Sequence, residues 1–306
     1  MSDLSAFRDR YGVPAVGAAL VTADGAVELD LLGERVREGG DPVRADDAWH
    51  IGSCGRSMTA VLYARLVERG EAEWGAPLPA LFPELGIDPG WSAVTIDDAL
   101  AGAAGLQTDL SRNAMAAAYD DARPLRLQRA VAAAAALARA PRRPGRSRDS
   151  NLGYVVVGAA IERITGASYE QALTTHVLEP LGITSGGFGA PPAIRGHRAR
   201  TPAPPDDPRA DNPPVMSPAG RLHLALADWA RFQQVFLTEG GGFLAAASVE
   251  RLHAASRSQQ GSNTFWVATA LIDVDRRRAA LVVCNDGRRR LLAGTAKLAA
   301  RLLSYS

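Results

Sequence analysis

Lysine is almost missing from this chain. Of 34 basic residues among 306, Lys297 alone is lysine and every other one is arginine. Together with 30 glycines and 19 prolines, that bias reads as GC-rich coding. An arginine on the surface then says little. An arginine where chemistry calls for a titratable amine says a great deal, because a guanidinium does not give up its proton. An excess of either charge is missing as well: a net charge of +1 leaves no basic field to gather nucleic acid and no acidic tail. No apolar run approaches the roughly 18 residues of a membrane-spanning helix, so no membrane partner is expected. The opening MSDLSAFRDRYG has no basic stretch leading into an apolar core, which predicts no secretion signal and a cytoplasmic protein. Cysteine is scarce, and Cys54 and Cys284 cannot build a disulfide framework. The five histidines show no spacing of the H-E-x-x-H kind, and no glycine-rich phosphate loop follows a predicted strand. No metal and no cofactor is therefore expected.

What is present is an ordinary globular composition, 47% hydrophobic and 22% charged, long enough for one large core or two lobes. Residues 14–22 (PAVGAALVT) and 26–34 (AVELDLLGE) are apolar, β-rich runs around Ala-Asp-Gly, which predicts a hairpin. Helical spacing of apolar residues predicts helices at 57–70, 95–103, 114–140, 152–165, 168–181, 224–237, 247–255 and 289–303, with strands at 264–273 and 279–284. Residues 141–147 (PRRPGRS) form a breaker-rich loop, and 187–218 a long loop dense in proline and aspartate, a length that usually carries function or mobility. Strands at both ends with helices between them predict an α/β (α+β) protein: an antiparallel sheet from the N- and C-terminal segments, flanked by helices, with an inserted helical lobe. Within a single domain 1–306, residues 1–72 and 245–306 would form the α/β lobe and 73–244 the helical one. Ser53 then stands at the head of a helix leaving the sheet, where clefts between lobes lie.

Several stretches carry a more specific signal: HIGSCGRSMTAVLYARLVERGE (50–71), VTIDDALAGAAGL (94–106), DSNLGYVVVGAAIERITGASYEQAL (149–173), LEPLGITSGGFG (178–189), DNPPVMSPAGRLHLALADWARF (211–232) and QGSNTFWVATALI (260–272). In order and spacing they resemble the serine β-lactamase and penicillin-binding-protein-like hydrolases, in the class C and esterase branch. The resemblance implies that family's fold and a mechanism in which a serine, armed by a lysine one helical turn later, attacks an acyl carbon. A tyrosine of a Y-x-N motif assists, and an H-x-G or K-T-G strand shapes the oxyanion side. The serine hydroxyl needs such help because it is a weak nucleophile until a base takes its proton.

Carried over residue by residue, the resemblance makes Ser53 the nucleophile but puts Arg56 at the lysine position and Asp149 at the tyrosine position. Ser150 and Asn151 of the Y-x-N motif are kept. Gln259-Gln260-Gly261 stands for the strand triplet, and the histidine before the Ser-Gly-Leu segment gives way to Ala101–Leu106. The stretch before Gln259 is also short by about a hairpin. Arginine cannot be the general base, so ordinary Ser-Lys-Tyr acyl transfer is not expected. Arg56 and Asp149, complementary in charge where two proton carriers converge, are expected to pair, structurally or in recognition. The backbone amides of Ser53 and Ser262 are expected to form an oxyanion hole. Asn151, Gln259, Gln260 and Ser262 are the candidate substrate contacts, with Ser53, Arg56 and Asp149 the candidate catalytic set.

Blander roles stand beside these. Ser53 could simply cap a helix, Cys54 pack as a small buried residue, His223 be structural, and His197 be a solvated loop residue. Trp266 and Phe265 fit the core and a pocket wall equally. Two functions follow from different classes. One is an enzyme on this scaffold repurposed for a small molecule in specialised metabolism, by cyclisation, rearrangement, elimination or an acyl transfer without a base, with weak serine esterase activity as a variant. The other is a catalytically silent protein that keeps the pocket and binds a small molecule.

Overall fold

The computed structural model describes residues 2–146 and 149–304, so Ser147, the last residue of the expected 141–147 loop, lies outside the described residues. The chain divides into two compact units: Met1–Ser57 with Leu178–Asn212 and Gly220–Ser306, and Met58–Val177 with Pro213–Ala219.

The first unit is built on five antiparallel strands, β1 (Ala15–Thr22), β2 (Val27–Gly33), β3 (Ser258–Ser262), β4 (Val267–Asp273) and β5 (Arg278–Cys284), in the order β2-β1-β5-β4-β3. The predicted hairpin turns at Gly25, whose φ of +94° suits glycine. β1 and β5 then pair with Val16 opposite Cys284, which joins the two ends of the chain in one sheet. Residues alternate across β1. Val16 and Ala18 join Phe7, Val282, Leu291 and Leu298 in one apolar cluster beneath the terminal helices Ser2–Tyr11 and Arg290–Ser304. Gly17, between them, faces the other way, with a Cβ there coming within 3.4 Å of Leu226 in the helix Leu226–Leu237. Each such leucine or valine, fully buried, contributes about 1.5–3 kcal/mol.

A second sheet in this unit pairs Ala48–His50 with Leu222–Ala225 and then Gly187–Phe188. This corrects two expectations. The helix expected at 224–237 starts only at Leu226, because Leu224 lies opposite Trp49 in the sheet. The lobe boundary expected at 72/73 falls at 57/58, and residues 178–212 and 220–244 belong to the first unit, tied to it by these pairings. The long loop is partly ordered by short strands, His197–Arg198 against Thr201–Pro202. His197 is not solvated. It is fully buried, accepts from the Arg37 amide at 3.2 Å and donates to the Asn285 carbonyl at 3.0 Å.

In the second unit the expected helix 114–140 is two, Arg112–Ala117 and Leu125–Leu137. Pro124 stands in extended backbone at the start of the second, where proline cannot continue a helix from the preceding turn. The helix Asn151–Thr165 ends at Gly166 with φ +69°. The helix expected over 168–181 is shorter, Tyr169–Leu173, and passes into a wider π-type turn over Thr174–Leu178. Arg129, 0% exposed, is the ionic centre of this unit. It is bound by the carboxylates of Glu162 and Glu170 and donates to the carbonyls of Val215 and Pro214. Among the described residues no helix is long and apolar enough to cross a membrane.

Burial holds His197 and His223, and to a lesser depth His176, below the ordinary histidine range. The native state therefore takes up fewer protons than the unfolded chain as pH falls through about 6.5, and stability must fall with it. Urea midpoints are expected to be lower at pH 5.5 than at pH 7.5, with a smaller difference in His197→Asn. An equal or higher midpoint at pH 5.5 contradicts this.

Candidate functional site

Ser53 lies half-buried in the tight turn Gly52–Gly55, directly before the helix Arg56–Glu68. Its side chain makes no helix cap: the cap position is Ile51, without a side-chain bond. The turn is held by the absence of side chains. Gly52 has φ +54°, and a Cβ on it would come within 2.6 Å of the Ser262 amide nitrogen. A Cβ on Gly261 would sit 2.1 Å from the Ile51 carbonyl oxygen and 2.6 Å from the Ser53 nitrogen, and one on Gly220 would sit 3.0 Å from that nitrogen. Gly52 and Gly261 thus let the backbones of the Ser53 turn and the end of β3 approach more closely than any side chain allows, and Gly220 brings a third backbone segment against the same turn.

Beneath this contact lies a buried polar cluster that the sequence did not single out. His50 is 1% exposed, and its Nδ1 accepts from the Gly52 amide at 3.0 Å. That leaves the proton on Nε2, which donates to Asp211 Oδ1 at 3.0 Å. The same oxygen accepts from Asn263 Nδ2 at 2.8 Å and from the Asn212 amide at 2.7 Å, while Arg221 Nε lies 3.4 Å from Oδ2. Asn263 in turn accepts, through Oδ1, from the amides of Phe265 and Trp266. Burial raises the Asp211 carboxyl, but His50, Arg221 and Asn263 together outweigh it and hold it below the usual carboxylate range. Trp266 stacks on the His50 ring at 5.4 Å and is a core residue. The signal available in the sequence was only a histidine three residues before Ser53 and an aspartate at the end of a long loop.

The remaining candidates separate. Gln259 shares a face of β3 with Gly261 but is buried, its Oε1 accepting from Ser57 Oγ at 3.0 Å and its amide paired with that of Gln233. It is part of the packing behind the turn, and its side chain is not presented to a substrate. Gln260, on the opposite face, is exposed and donates from Nε2 to the Leu292 carbonyl at 2.7 Å. Ser262 is half-buried, and its hydroxyl accepts from the Thr264 amide at 3.3 Å. Only Arg257 separates the helix Ala246–Ser256 from β3. In the second unit, Ser150 caps the helix Asn151–Thr165 through Gly153 and donates to the Gln107 carbonyl. Asn151 Nδ2 donates to Asp109 Oδ1 at 2.5 Å, a partner that the sequence reading missed. Arg56 is half-buried in the first unit, and Asp149 is exposed in the second. Cys54 is buried, and burial drives its thiol up despite the charge of Arg56 nearby, so it is no nucleophile.

The beta-lactamase family model matches residues 3–294. The chain belongs to the beta-lactamase family. Among its relatives, Esterase EstB of Burkholderia gladioli is 32% identical over 202 residues, covering 60% of this chain and 49% of the esterase. Penicillin-binding protein 4 of Amycolatopsis lactamdurans is 28% identical over 250 residues, covering 77% and 62%. The chain thus spans about half to three-fifths of the length of these relatives. The class C beta-lactamase of Rhodobacter sphaeroides superposes with a TM-score of 0.78 over 99% of both chains at 17% identity. The penicillin-binding protein homologue of Pyrococcus abyssi does so with 0.79 over 99% of this chain and 75% of its own, at 19% identity. The mixed α/β architecture is therefore that of the β-lactamase and penicillin-binding-protein fold. Within this family member, Ser53 and Ser262 owe their proximity to backbone packing and to the cluster under Asp211.

That dependence is measurable as stability. Gly261→Ala is expected to cost about 1–3 kcal/mol, the range for forcing atoms into a filled site. Asp211→Asn, which strips a buried carboxylate from three donors, is expected to cost about 2–3 kcal/mol. Equilibrium urea unfolding of each variant checks both, and a change within about 0.5 kcal/mol would show that the cluster does not hold the turn.

Proposed function

We propose that this β-lactamase-family protein acts on a small molecule through the paired amides of Ser53 and Ser262, without the Ser-Lys-Tyr relay. Its relation to the family's chemistry is that of an enzyme redirected to a different reaction, of the kind found in specialised metabolism. The observation that supports this reading is the close glycine contact, which keeps the Ser53 and Ser262 backbones together; by the sequence resemblance, Arg56 stands where the base would be. An amide pair stabilises developing negative charge on a bound oxygen whatever the neighbouring side chains are. A guanidinium three residues beyond Ser53 cannot accept the hydroxyl proton, but it attracts the same negative charge. The reaction classes that need an oxyanion or carboxylate held, and no alkoxide made, are cyclisation, rearrangement, elimination and acyl transfer to an already activated acceptor. On this reading Arg56 and Asp149 serve as a polar recognition pair and Asn151 as a carbonyl or amide contact.

A second reading, weak serine ester hydrolysis through Ser53, draws support from the 32% identity to an esterase over 202 residues. One experiment separates the two. The purified protein is mixed with p-nitrophenyl acetate and with a fluorophosphonate, and Ser53 is followed by mass spectrometry. The expected outcome is little adduct at Ser53 and hydrolysis within about tenfold of Ser53→Ala. The double variant Arg56→Lys with Asp149→Tyr should then raise Ser53-dependent turnover by about a hundredfold, since a restored base supplies on the order of 10²–10⁴. A rapid burst with acylated Ser53 in the unaltered protein would overturn the redirected-enzyme reading in favour of the hydrolase.

A further inference from the structure

The second unit holds two adjoining cavities that the chemistry at Ser53 does not use. One, of about 230 Å³, lies between the helices Arg112–Ala117 and Leu125–Leu137, with walls that include Leu110, Ala114, Val131, Ala135 and Val215. The short helix on its rim buries none of its own residues and is fixed by Ser111, which accepts from the Ala114 amide. Val131 is 43% exposed at the mouth. The only acid among the described residues of this wall, Asp121, is already held bidentately by Arg123 at 2.6–3.1 Å. The other cavity, of about 170 Å³, shares Gln107, Ala136, Arg139 and Leu152 with the first and adds Trp91 and Arg142.

The two cavities differ in kind. The first is a mainly apolar slot whose wall also takes in Gln107, Gln128, Arg123 and Arg139. The second is lined by two arginines, Arg139 and Arg142, both exposed, and by no acidic residue among the described residues. Both arginines are presented from pinned backbone. The Arg139 carbonyl accepts from Trp91 Nε1 at 2.7 Å, and the Arg142 amide donates to the Gly105 carbonyl at 2.8 Å. Gly105 has φ +82°, and a Cβ there would strike the Arg142 backbone at 2.7 Å, so this approach also requires glycine. Arg139 follows the C-terminal end of the helix Leu125–Leu137, where a cation is favoured by the helix dipole. That effect accounts for a charge at position 139 but for neither a second one at 142 nor the apolar slot beside them.

We infer that these joined cavities bind an anionic amphiphile, with its carboxylate between Arg139 and Arg142 and its alkyl chain in the slot between the two helices. Planar guanidinium groups suit a carboxylate, and the slot supplies the burial that an alkyl chain needs. The inference goes beyond the reading proposed for Ser53 and does not depend on it.

Equilibrium binding of hexanoate, octanoate and decanoate to the purified chain, by isothermal titration calorimetry, tests it. Affinity is expected to rise about fourfold per added methylene, the factor given by about 0.8 kcal/mol per buried CH₂. Decanol should bind about five- to tenfold more weakly than decanoate, and Arg139→Ala with Arg142→Ala should erase that difference. Ala135→Trp, at an exposed helix position that tolerates bulk, should abolish binding while leaving the thermal midpoint unchanged. Ser53→Ala should bind as the unaltered chain does, so that failure of the chemistry at Ser53 and failure of this inference remain distinct. Absence of saturable binding, affinity independent of chain length, equal binding of decanol, or undiminished binding to a folded Ala135→Trp variant would each overturn the inference.

Discussion

Asp211 is the residue on which the arrangement around Ser53 turns. One of its oxygens receives His50, and through His50 the Gly52 amide before Ser53; the same oxygen receives Asn263, directly after Ser262. The two amides proposed to act together are therefore flanked by donors to a single buried carboxylate. A buried carboxylate is costly unless its lone pairs are used, and here the use is shared between two strands that are far apart in sequence. The cost of burying the charge becomes a constraint on relative position: if either flank shifted, Asp211 would lose a donor it cannot replace with water. Its carboxyl is held below the usual range despite burial, because His50, Arg221 and Asn263 together outweigh the loss of solvent.

The second constraint is steric. Gly52 and Gly261 are not flexible points here; each occupies a place where a Cβ would overlap backbone atoms, and Gly220 packs against the same turn with little room to spare. Main-chain geometry secured in this way is indifferent to what the neighbouring side chains do. On the proposed reading, with Arg56 at the lysine position and Asp149 at the tyrosine position, proton transfer changes while the Ser53 and Ser262 amides stay where the glycines hold them. Such an arrangement would let a family member change its chemistry and keep a backbone suited to an anion. Positioning and proton transfer reside in separate atoms.

The sequence was most legible where one local pattern sufficed. The hairpin of β1 and β2, the helices 151–165 and 290–304, and a sheet made from both chain ends follow from periodicity and turn chemistry. The elements that went astray were decided by distant partners. Leu222–Ala225 has helical spacing in continuity with the helix after it, and only pairing with Trp49 makes it a strand. Residues 114–140 read as one alanine-rich helix until Pro124 is weighed as a stop. At the site, Ser53 and Ser262 were visible as a turn and a strand end, whereas Asp211 was one aspartate in an Asp- and Pro-rich loop. Its meaning lies in contacts to positions 50 and 263 that no spacing reveals. Gln259 departs from expectation for a related reason. A side chain's position on β3 fixes the face it takes, but that face is filled by Gln233 and Ser57, which come from elsewhere in the chain.

Arginine shows the same distinction in its sharpest form. Composition makes a surface arginine uninformative, yet two arginines away from the open surface stand in unlike physical settings. Arg129 is buried against two carboxylates, and its charge is consumed by structure. Arg56 adjoins the serine turn, where its charge reaches as far as the Cys54 thiol. Amides that stabilise negative charge and a cation that cannot lose its proton favour the same thing, a bound oxygen already carrying charge. A lysine in that place could alternate between holding the anion and arming the hydroxyl, because burial can bring its proton within reach of neutral pH. With arginine the alternation is gone. On the proposed reading, the side chain that ends proton transfer is also the one that strengthens anion binding, so one substitution accounts for both the recognition and the loss of the ordinary nucleophile.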